Sequence, residues 1–342
     1  MRETRRAALS SAKPFSIGRM TVGRCNYIVV NKLHFSIFIL ILGFAGIASW
    51  YVVSREPSRG SEPALIVIPK EEKSIDILFL GDMMFDRGIR QVGVKKGGDF
   101  LFSCVDPWLK EADLVVGNLE GPITENASVS VGSVVGSSRN FQFTFPTSTA
   151  PLLFAHNVRL VNLGNNHINN FGSSGIASTK EYLTGAGVSY FGGLAGDSPV
   201  YRTTMHGINL SFVNYNQFGG DSARDVAALI ATEHATGNTV IVYTHWGEEY
   251  VPPTEGVREI ARLFAESGAD LIVGSHPHVI QESESIGGTK VYYSLGNFIF
   301  DQYFDPEVRR GLTILVHIFP DHMNIEERSV IITPDGQTCP QS

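Results

Sequence analysis

Two histidines separated by a proline, His276-Pro277-His278, follow the apolar run Leu271-Ile272-Val273-Gly274 and a serine. A run of that kind predicts a buried strand, and Gly274 would end it by letting the backbone turn. In an extended segment, side chains two apart leave the same side, and Pro277 stiffens the backbone between them. The pair therefore has the makings of two convergent metal ligands. Imidazole suits zinc, manganese and iron, and the C-terminal end of a strand is where open α/β sheets place their sites. The plainer alternative is a turn whose histidines bond backbone carbonyls, and the remaining strand ends bear on that choice.

Four other apolar runs end in polar groups with metal-binding atoms. Ile75 to Leu80 leads into Gly81-Asp82, and Leu114 to Gly117 leads into Asn118-Leu119-Glu120. Val158 to Leu163 leads into Gly164-Asn165-Asn166-His167, and Thr239 to Thr244 leads into His245-Trp246-Gly247-Glu248-Glu249-Tyr250. Asparagine-rich turns also form for their own backbone bonding, so the third of these has a structural reading as well. Taken together, carboxylate, amide oxygen and imidazole suit a hard or borderline dication, and the candidates exceed one tetrahedral site. One or two ions of the Mn2+, Zn2+ or Fe2+ type are expected. A pair of them would polarise a phosphoryl or carbonyl oxygen and lower the pKa of a bridging water.

Positioning such groups needs strands that alternate with helices. Helices are expected around Phe100–Glu111, Ser148–His156, Ser174–Ala186, from Asp221 as cap to Gly237, and over Glu255–Ser267. A hairpin is expected through Val200–Thr204 and Ile208–Asn214, and strands near Lys290–Ser294, Gly311–Phe319 and Met323–Ile332. The Ser/Gly/Val-rich residues 126–140 read as a mobile excursion, and Phe141, Phe143 and Phe145 alternate like an edge strand. Alternating strands and helices followed by a run of strands argue for an α/β core of two packed sheets with helices outside.

The first part of the 342-residue chain has a different character. Residues 33–53 are 21 uncharged, largely apolar positions, close to the roughly 20 that a helix needs to cross a bilayer. Basic residues dominate 1–32, which orients that tail toward the cytoplasm and the remainder outside. A cleavable signal peptide is the competing reading, but its apolar region is usually shorter and no small-x-small site follows before Tyr51. Residues 54–73, rich in Pro, Ser and Gly, read as a linker, and 74–335 as the domain. Residues 1–73 carry 11 Lys/Arg and 5 Asp/Glu, whereas 74–342 carry 16 and 29. So acidic a domain does not resemble a nucleic-acid binder. Cys104 and Cys339 both lie beyond the apolar segment, and pairing is open to them.

Six segments in order carry a family resemblance: G-D-M-M-F-D-R at 81–87, G-N-L-E-G-P at 117–122, N-N-H-I-N-N-F-G at 165–172, H-W-G-E-E-Y at 245–250, G-S-H-P-H-V-I-Q at 274–281 and Y-S-L-G-N-F-I-F-D-Q at 293–302. They resemble the CapA family of poly-γ-glutamate capsule biosynthesis proteins, whose domain is similar to calcineurin-like metallophosphoesterases. The resemblance implies a two-sheet sandwich flanked by helices. It implies Asp82, Asn166, His245, His276 and His278 as metal ligands and His167 as the acid that protonates a leaving group or holds substrate. Arg87 joins His167 as a catalytic candidate, being the cation able to offset the acidic field.

Three departures stand out. Asp82-Met83-Met84 replaces the usual Asp-x-His, so Met84 either occupies the place of a ligand or fills the core. Neutral Asn118 stands at a bridging aspartate, which gives the bridge to Glu120. Asn170 stands where the family pattern has an aspartate. The implied function is participation in synthesis or export of a capsule-type polymer at the cytoplasmic membrane, with a polymer synthase or export complex as partner and an acidic polymer or phosphoester as substrate. A free-standing hydrolase and a non-catalytic scaffold are the alternatives.

Overall fold

The computed structural model describes residues 73–341. The expected membrane span at 33–53 and the basic tail lie outside the described residues, as does the linker up to residue 72. Among the described residues, no helix is long and apolar enough to cross a membrane.

Two sheets form the centre. In the first, β1 (Ile75–Met83), β2 (Leu114–Leu119), β3 (Val158–Asn162) and β4 (Ser189–Phe191) run parallel in that order. The second contains β5 (Val200–Met205), β6 (Ile208–Asn216), β7 (Thr239–His245) and β8 (Leu271–Ser275), and continues through β10 (Thr289–Tyr292) to β9 (Ser283–Ile286) at its edge. Within it, β6, β7, β8 and β10 are parallel. Short β11 (Asn297–Ile299) pairs with the end of β1. The first sheet then grows on its other side by antiparallel β12 (Arg310–Ile318), β13 (Met323–Ile332) and β14 (Thr338–Pro340). The last of these lies beyond residue 335, where the sequence places the domain's end.

Strand alternation sorts the core into three layers. Ile75, Ile77 and Phe79 of β1 pack between the sheets with Phe212, Ile241, Tyr243, Leu271 and Val273. Leu78 and Leu80 face the other way, into a cluster that includes residues of α1 (Arg87–Lys96), α2 (Asp106–Glu111), α3 (Thr149–Ala155) and α4 (Gly172–Ala186). Outside the second sheet, α5 (Ala223–Ala235) and α6 (Glu255–Glu266) cover Val240, Val242, Ile272 and Val291. The expected two-sheet α/β sandwich with outer helices is thus the observed architecture.

Several local expectations change. Asp221 does not cap α5: Ser222 Oγ accepts from Asp225 N, while Asp221 accepts from Asn216 N at 2.9 Å and from the Asn214 amide at 3.1 Å. Phe141, Phe143 and Phe145 form no edge strand. A 3-10 turn covers 138–141, Phe145 makes only an isolated bridge to Ile123, and Phe143 and Phe145 are buried. The 126–140 excursion is anchored at its base, where Ser130 Oγ donates to buried Asp86 at 2.8 Å. Asp86 also accepts from Arg90 Nε at 2.9 Å and from Thr144 N at 2.9 Å, so one carboxylate fastens both ends of that loop to α1.

The second sheet and α5 are joined by an ion pair with a clear acid response. Glu233, 2% exposed, accepts from Arg202 Nε at 2.8 Å, Ser211 Oγ at 2.7 Å and the Asn238 amide at 3.1 Å. Arg202 foremost pulls the carboxyl pKa down to about 2. A depressed folded-state pKa contributes stability that is complete above the unfolded value, about 4.3, and is lost as pH falls through the folded value. The contribution lost between pH ~4.5 and ~2 should be about 2 kcal/mol, reduced from the full linkage value because Arg202 is largely open to solvent. Urea unfolding across this range should show a shallower acid slope in Glu233→Gln, and an unchanged slope would refute the assignment.

Candidate metal centre

Strand register brings the polar residues to one level. Asp82 pairs with Asn118, and Asn118 with Asn162, across the first sheet. In the second sheet Asn216 pairs with His245, and His245 with Ser275. Each row marks the C-terminal end of its parallel strands, and side-chain contacts join the rows, His245 Nδ1 lying 3.3 Å from the Asn118 amide. Two glycines permit close approaches here. A Cβ on Gly81 would stand 2.0 Å from the Gly296 carbonyl oxygen, and one on Gly274 would stand 2.0 Å from that of Tyr293. Gly274 therefore does not end β8 by a turn, as its sequence context suggests; it lies inside the strand and makes room for a neighbouring backbone.

The histidine turn differs from expectation in its mechanism. His276 and His278 are not in an extended segment: their φ angles are 97° and 58°. Left-handed backbone at a non-glycine residue costs about 1–3 kcal/mol and persists only when its surroundings enforce it. Here the His276 N–H donates to Asp82 Oδ2 at 3.1 Å, and Pro277 O accepts from Tyr250 N at 2.9 Å. The twisted turn leaves the two ring centroids 5.9 Å apart and sets His276 4.7 Å from His245.

Hydrogen bonds on the far sides of the rings orient them, and in two of the three they fix which nitrogen meets the site. Ser275 Oγ gives its single proton to Thr244 O at 2.7 Å and lies 2.9 Å from His245 Nδ1. The Asn297 amide nitrogen donates to carbonyls, including Val308 O at 2.9 Å, leaving Oδ1 to accept from His278 Nδ1 at 2.9 Å. Asn170 Oδ1, which takes the Phe143 N–H at 2.7 Å, stands 3.1 Å from His167 Nδ1. In His167 and His278 the proton sits on Nδ1 and the Nε2 lone pair points inward; His245 Nδ1 also lies 3.3 Å from the Asn118 amide nitrogen, so its contacts suit either tautomer.

What the His167 and His278 lone pairs meet is more negative density, while His245 Nε2 lies within hydrogen-bond distance of Asn166 Oδ1, at 2.9 Å. His278 Nε2 and His167 Nε2 lie 3.5 and 3.9 Å from Glu120 Oε1, a buried oxygen with no hydrogen-bond partner. Asp82 and Glu120, both fully buried, sit side by side, and burial first, then Asp82, pushes the Glu120 carboxyl well above the usual carboxylate range. Burial also lowers His276 to about 3, His167 to about 4 and His245 well below its ordinary value, so all three rings are neutral and in their metal-ligating form. Donor atoms of Asp82, Glu120 and His278 fall within 4.8 Å of one another. This donor set fits a borderline dication, which would satisfy lone pairs that otherwise face each other.

The other candidates take distinct places. Asn118 is a donor here: its oxygen accepts from Asn165 at 3.2 Å, and its nitrogen reaches Asp82 Oδ1 at 2.8 Å. Met84 belongs to the core, fully buried, with Sδ accepting the Asp86 N–H at 3.0 Å. Arg87 lies at the rim, 4.9 Å above Phe143 and 5.5 Å from Phe300, and is paired with Asp301 at 2.5 Å. A cavity of about 400 Å³ opens there, lined by Arg87, Ser133, Phe141, Glu249, Tyr250 and Asp301. A neighbouring cavity of about 510 Å³ shares Tyr250 and Phe304 with it. Sequence reasoning missed Ser275 and Asn297, which orient two of the rings, and Glu249, which has donor atoms near His276 and His278. Their only signal was position inside segments already singled out for other residues.

Residues 76–302 match the family described as bacterial capsule synthesis protein PGA_cap. The PGA biosynthesis protein CapA of Bacillus subtilis (strain 168) is 29% identical over 246 residues, 66% of this chain and 63% of that protein. The capsule biosynthesis protein CapA of Bacillus anthracis is 28% identical over 255 residues, 68% of this chain and 61% of that protein. The chain thus spans about three fifths of the length of both relatives. Among solved structures, a phosphatase from Mycoplasma pneumoniae matches with a TM-score of 0.50 at 13% identity, over 76% of this chain and 94% of that one, a likeness of fold.

Proposed function

The chain belongs to the bacterial capsule synthesis protein family, and from that membership we propose that it takes part in making or exporting a poly-γ-glutamate-type polymer, acting outside the cytoplasmic membrane through a divalent-metal site. The observation that carries the metal is the convergence of two inward-facing Nε2 atoms on buried Glu120, whose carboxyl adjoins that of Asp82. Asp82, Glu120, Asn166, His245, His276 and His278 would hold the ion or ions. When bound, such an ion polarises a phosphoryl or carbonyl oxygen and lowers the pKa of water.

The chain's own residues supply the rest. His167 is neutral near pH 7 and held by Asn170, so its inward nitrogen must take up a proton before it can pass one to a leaving group. Arg87, steadied by Asp301, places positive charge at a rim where Glu249 and Asp301 are negative, and so offers an anionic substrate a local foothold. Hydrolysis or transfer at a phosphoester or at an amide of an acidic polymer suits this arrangement. Two features support the location. Residues 33–53 form an uncharged, membrane-length span after a basic tail. Cys104 and Cys339 form a disulfide, which persists in oxidising compartments.

The test uses the full chain. Purified protein should contain zinc, manganese or iron, and His276→Ala/His278→Ala should lose it, since even substitutions behind a ligand cost about 10–100-fold in affinity. In a cell lacking its own copy, the double variant should fail to restore polymer. Unchanged metal content in the variant would refute the site, and restored polymer with metal lost would refute its part in the function.

A further inference from the structure

Two four-coordinate ions call for up to eight donors, fewer where carboxylates are shared. The residues placed above supply six side chains, and His278 offers one free nitrogen because Asn297 holds the other. Met84 adds none, since its sulfur is engaged with the Asp86 N–H in the core.

Glu249 is the donor within reach that has no role so far. One carboxylate oxygen of Glu249 and one nitrogen each of His276 and His278 lie within 4.8 Å of one another. A second observation concerns the same ring: His276 is 4% exposed, and its Nδ1 has no hydrogen-bond partner. Phe218 covers the ring at 4.3 Å and His245 lies at 4.7 Å, so no neighbouring side chain satisfies that nitrogen. The loop that carries Glu249 is tied to the histidine turn, with Trp246 N donating to Ser275 O at 3.2 Å and Tyr250 N to Pro277 O at 2.9 Å. Gly247 N donates to Gln217 Oε1 at 2.9 Å on its other side. Glu249 itself is exposed, so its carboxylate is hydrated before any cation arrives.

We infer that Glu249, His276 and His278 form an outer divalent-cation subsite at the solvent boundary, and that Glu249 supplies the donor that the segment after Asp82 lacks. The inference rests on the metal-site reading given above and extends it to a second, weaker position. With the free nitrogen of His278 given to the outer cation, Asn166, His245 and Asp82 remain for the inner one. Glu120 Oε1, 3.5 Å from His278 Nε2, is placed to be shared. Two imidazoles and one carboxylate select a borderline ion such as Zn2+ or Mn2+ over Ca2+, which prefers six to eight oxygens. An outer ion beside the 400 Å³ cavity would also reverse the local field that Glu249 and Asp301 otherwise make negative.

Equilibrium dialysis of the full chain against Zn2+ or Mn2+, read by elemental analysis, tests this in parent, Glu249→Gln and Glu249→His. The parent should bind two ions per chain with unequal affinity. In Glu249→Gln the weaker dissociation constant should rise by at least the 10–100-fold known for residues behind a ligand, while the tighter one is unchanged. Glu249→His, which restores a nitrogen donor, should recover the second ion. Thermal melts in chelator should coincide for all three, because the substituted side chain is exposed. Two ions bound equally well by Glu249→Gln would overturn the inference. A parent that binds one ion, unaltered by the substitution, would overturn it and leave the inner site standing; a parent that binds none would overturn both.

Discussion

In chelator, Glu120→Gln should melt above the parent, and in excess Zn2+ or Mn2+ it should melt below it. The parent buries two carboxylates side by side, with Glu120 Oε1 facing two ring nitrogens that have no proton to give. Without a cation, that arrangement must either hold an uncompensated charge or keep a proton above the usual carboxylate range, and glutamine of the same shape removes that cost while adding a donor. A gain of about 1–3 kcal/mol is expected, by analogy with the replacement of buried charged groups. A cation reverses the order. At a free ion concentration of ~1,000 times the dissociation constant, binding stabilises the parent by about 4 kcal/mol, whereas the variant, short of its central negative donor, gains little. The crossing of the two melting curves is the signature. If Glu120→Gln is the less stable protein in chelator, the carboxylate is serving the apo fold and the argument for a cation between Asp82 and Glu120 fails.

Removing the disulfide should have a comparable effect on folding and none on the inner ligands. Cys104 and Cys339 are 235 residues apart in sequence, so the cross-link closes a loop of nearly the whole domain. The entropy of such a loop rises only logarithmically with length, and native disulfides typically contribute about 2–5 kcal/mol. The double variant Cys104→Ser/Cys339→Ser should lose about that much, and dithiothreitol should bring the parent to the same melting point. The strand affected first is β14, three residues paired with β13, with the Thr338 hydroxyl on Phe298 O and the adjacent Gln337 Nε2 on Ser103 Oγ at 2.5 Å as its other ties. Metal content measured well below the melting point should be unchanged. Equal stability of parent and variant would show that the covalent link does not constrain the unfolded chain appreciably.

How far the sequence foretold this depends on whether the deciding interaction is local. Apolar runs ending in Asp82, Glu120, His167, His245 and His276 announce strands whose C-terminal ends carry chemistry, because burial of a strand and exposure of its exit are both properties of neighbouring residues. The layering follows from alternation in the same runs. What was hidden is set by partners far along the chain. Gly81 and Gly274 are required by carbonyls of Gly296 and Tyr293, and the left-handed backbone of His276 is held by Asp82. Asn297 reads as one more residue of an apolar stretch until its oxygen is found on His278. Glu249 is one of two adjacent acids after His245, and nothing local sets it apart from Glu248; its nearness to two histidines comes from a backbone bond between Tyr250 and Pro277. Strands as short as β11 and β14 carry no periodicity to read.

The anchored excursion at 126–140 and the disulfide together determine what a protease would leave behind. Val134 and Val135, 78% and 89% exposed, stand between Gly132 and Gly136 at the tip, while Ser130 and Asn140 are buried at the base. Exposed tips of this composition are preferred sites of cleavage. A cut there would place Asp82 and Glu120 on one fragment and Asn166, His245, His276 and His278 on the other. Cys104 and Cys339 fall on opposite sides of the same cut, so the nicked chain would remain one covalent molecule, its two half-sets of ligands still held face to face until a reductant released them.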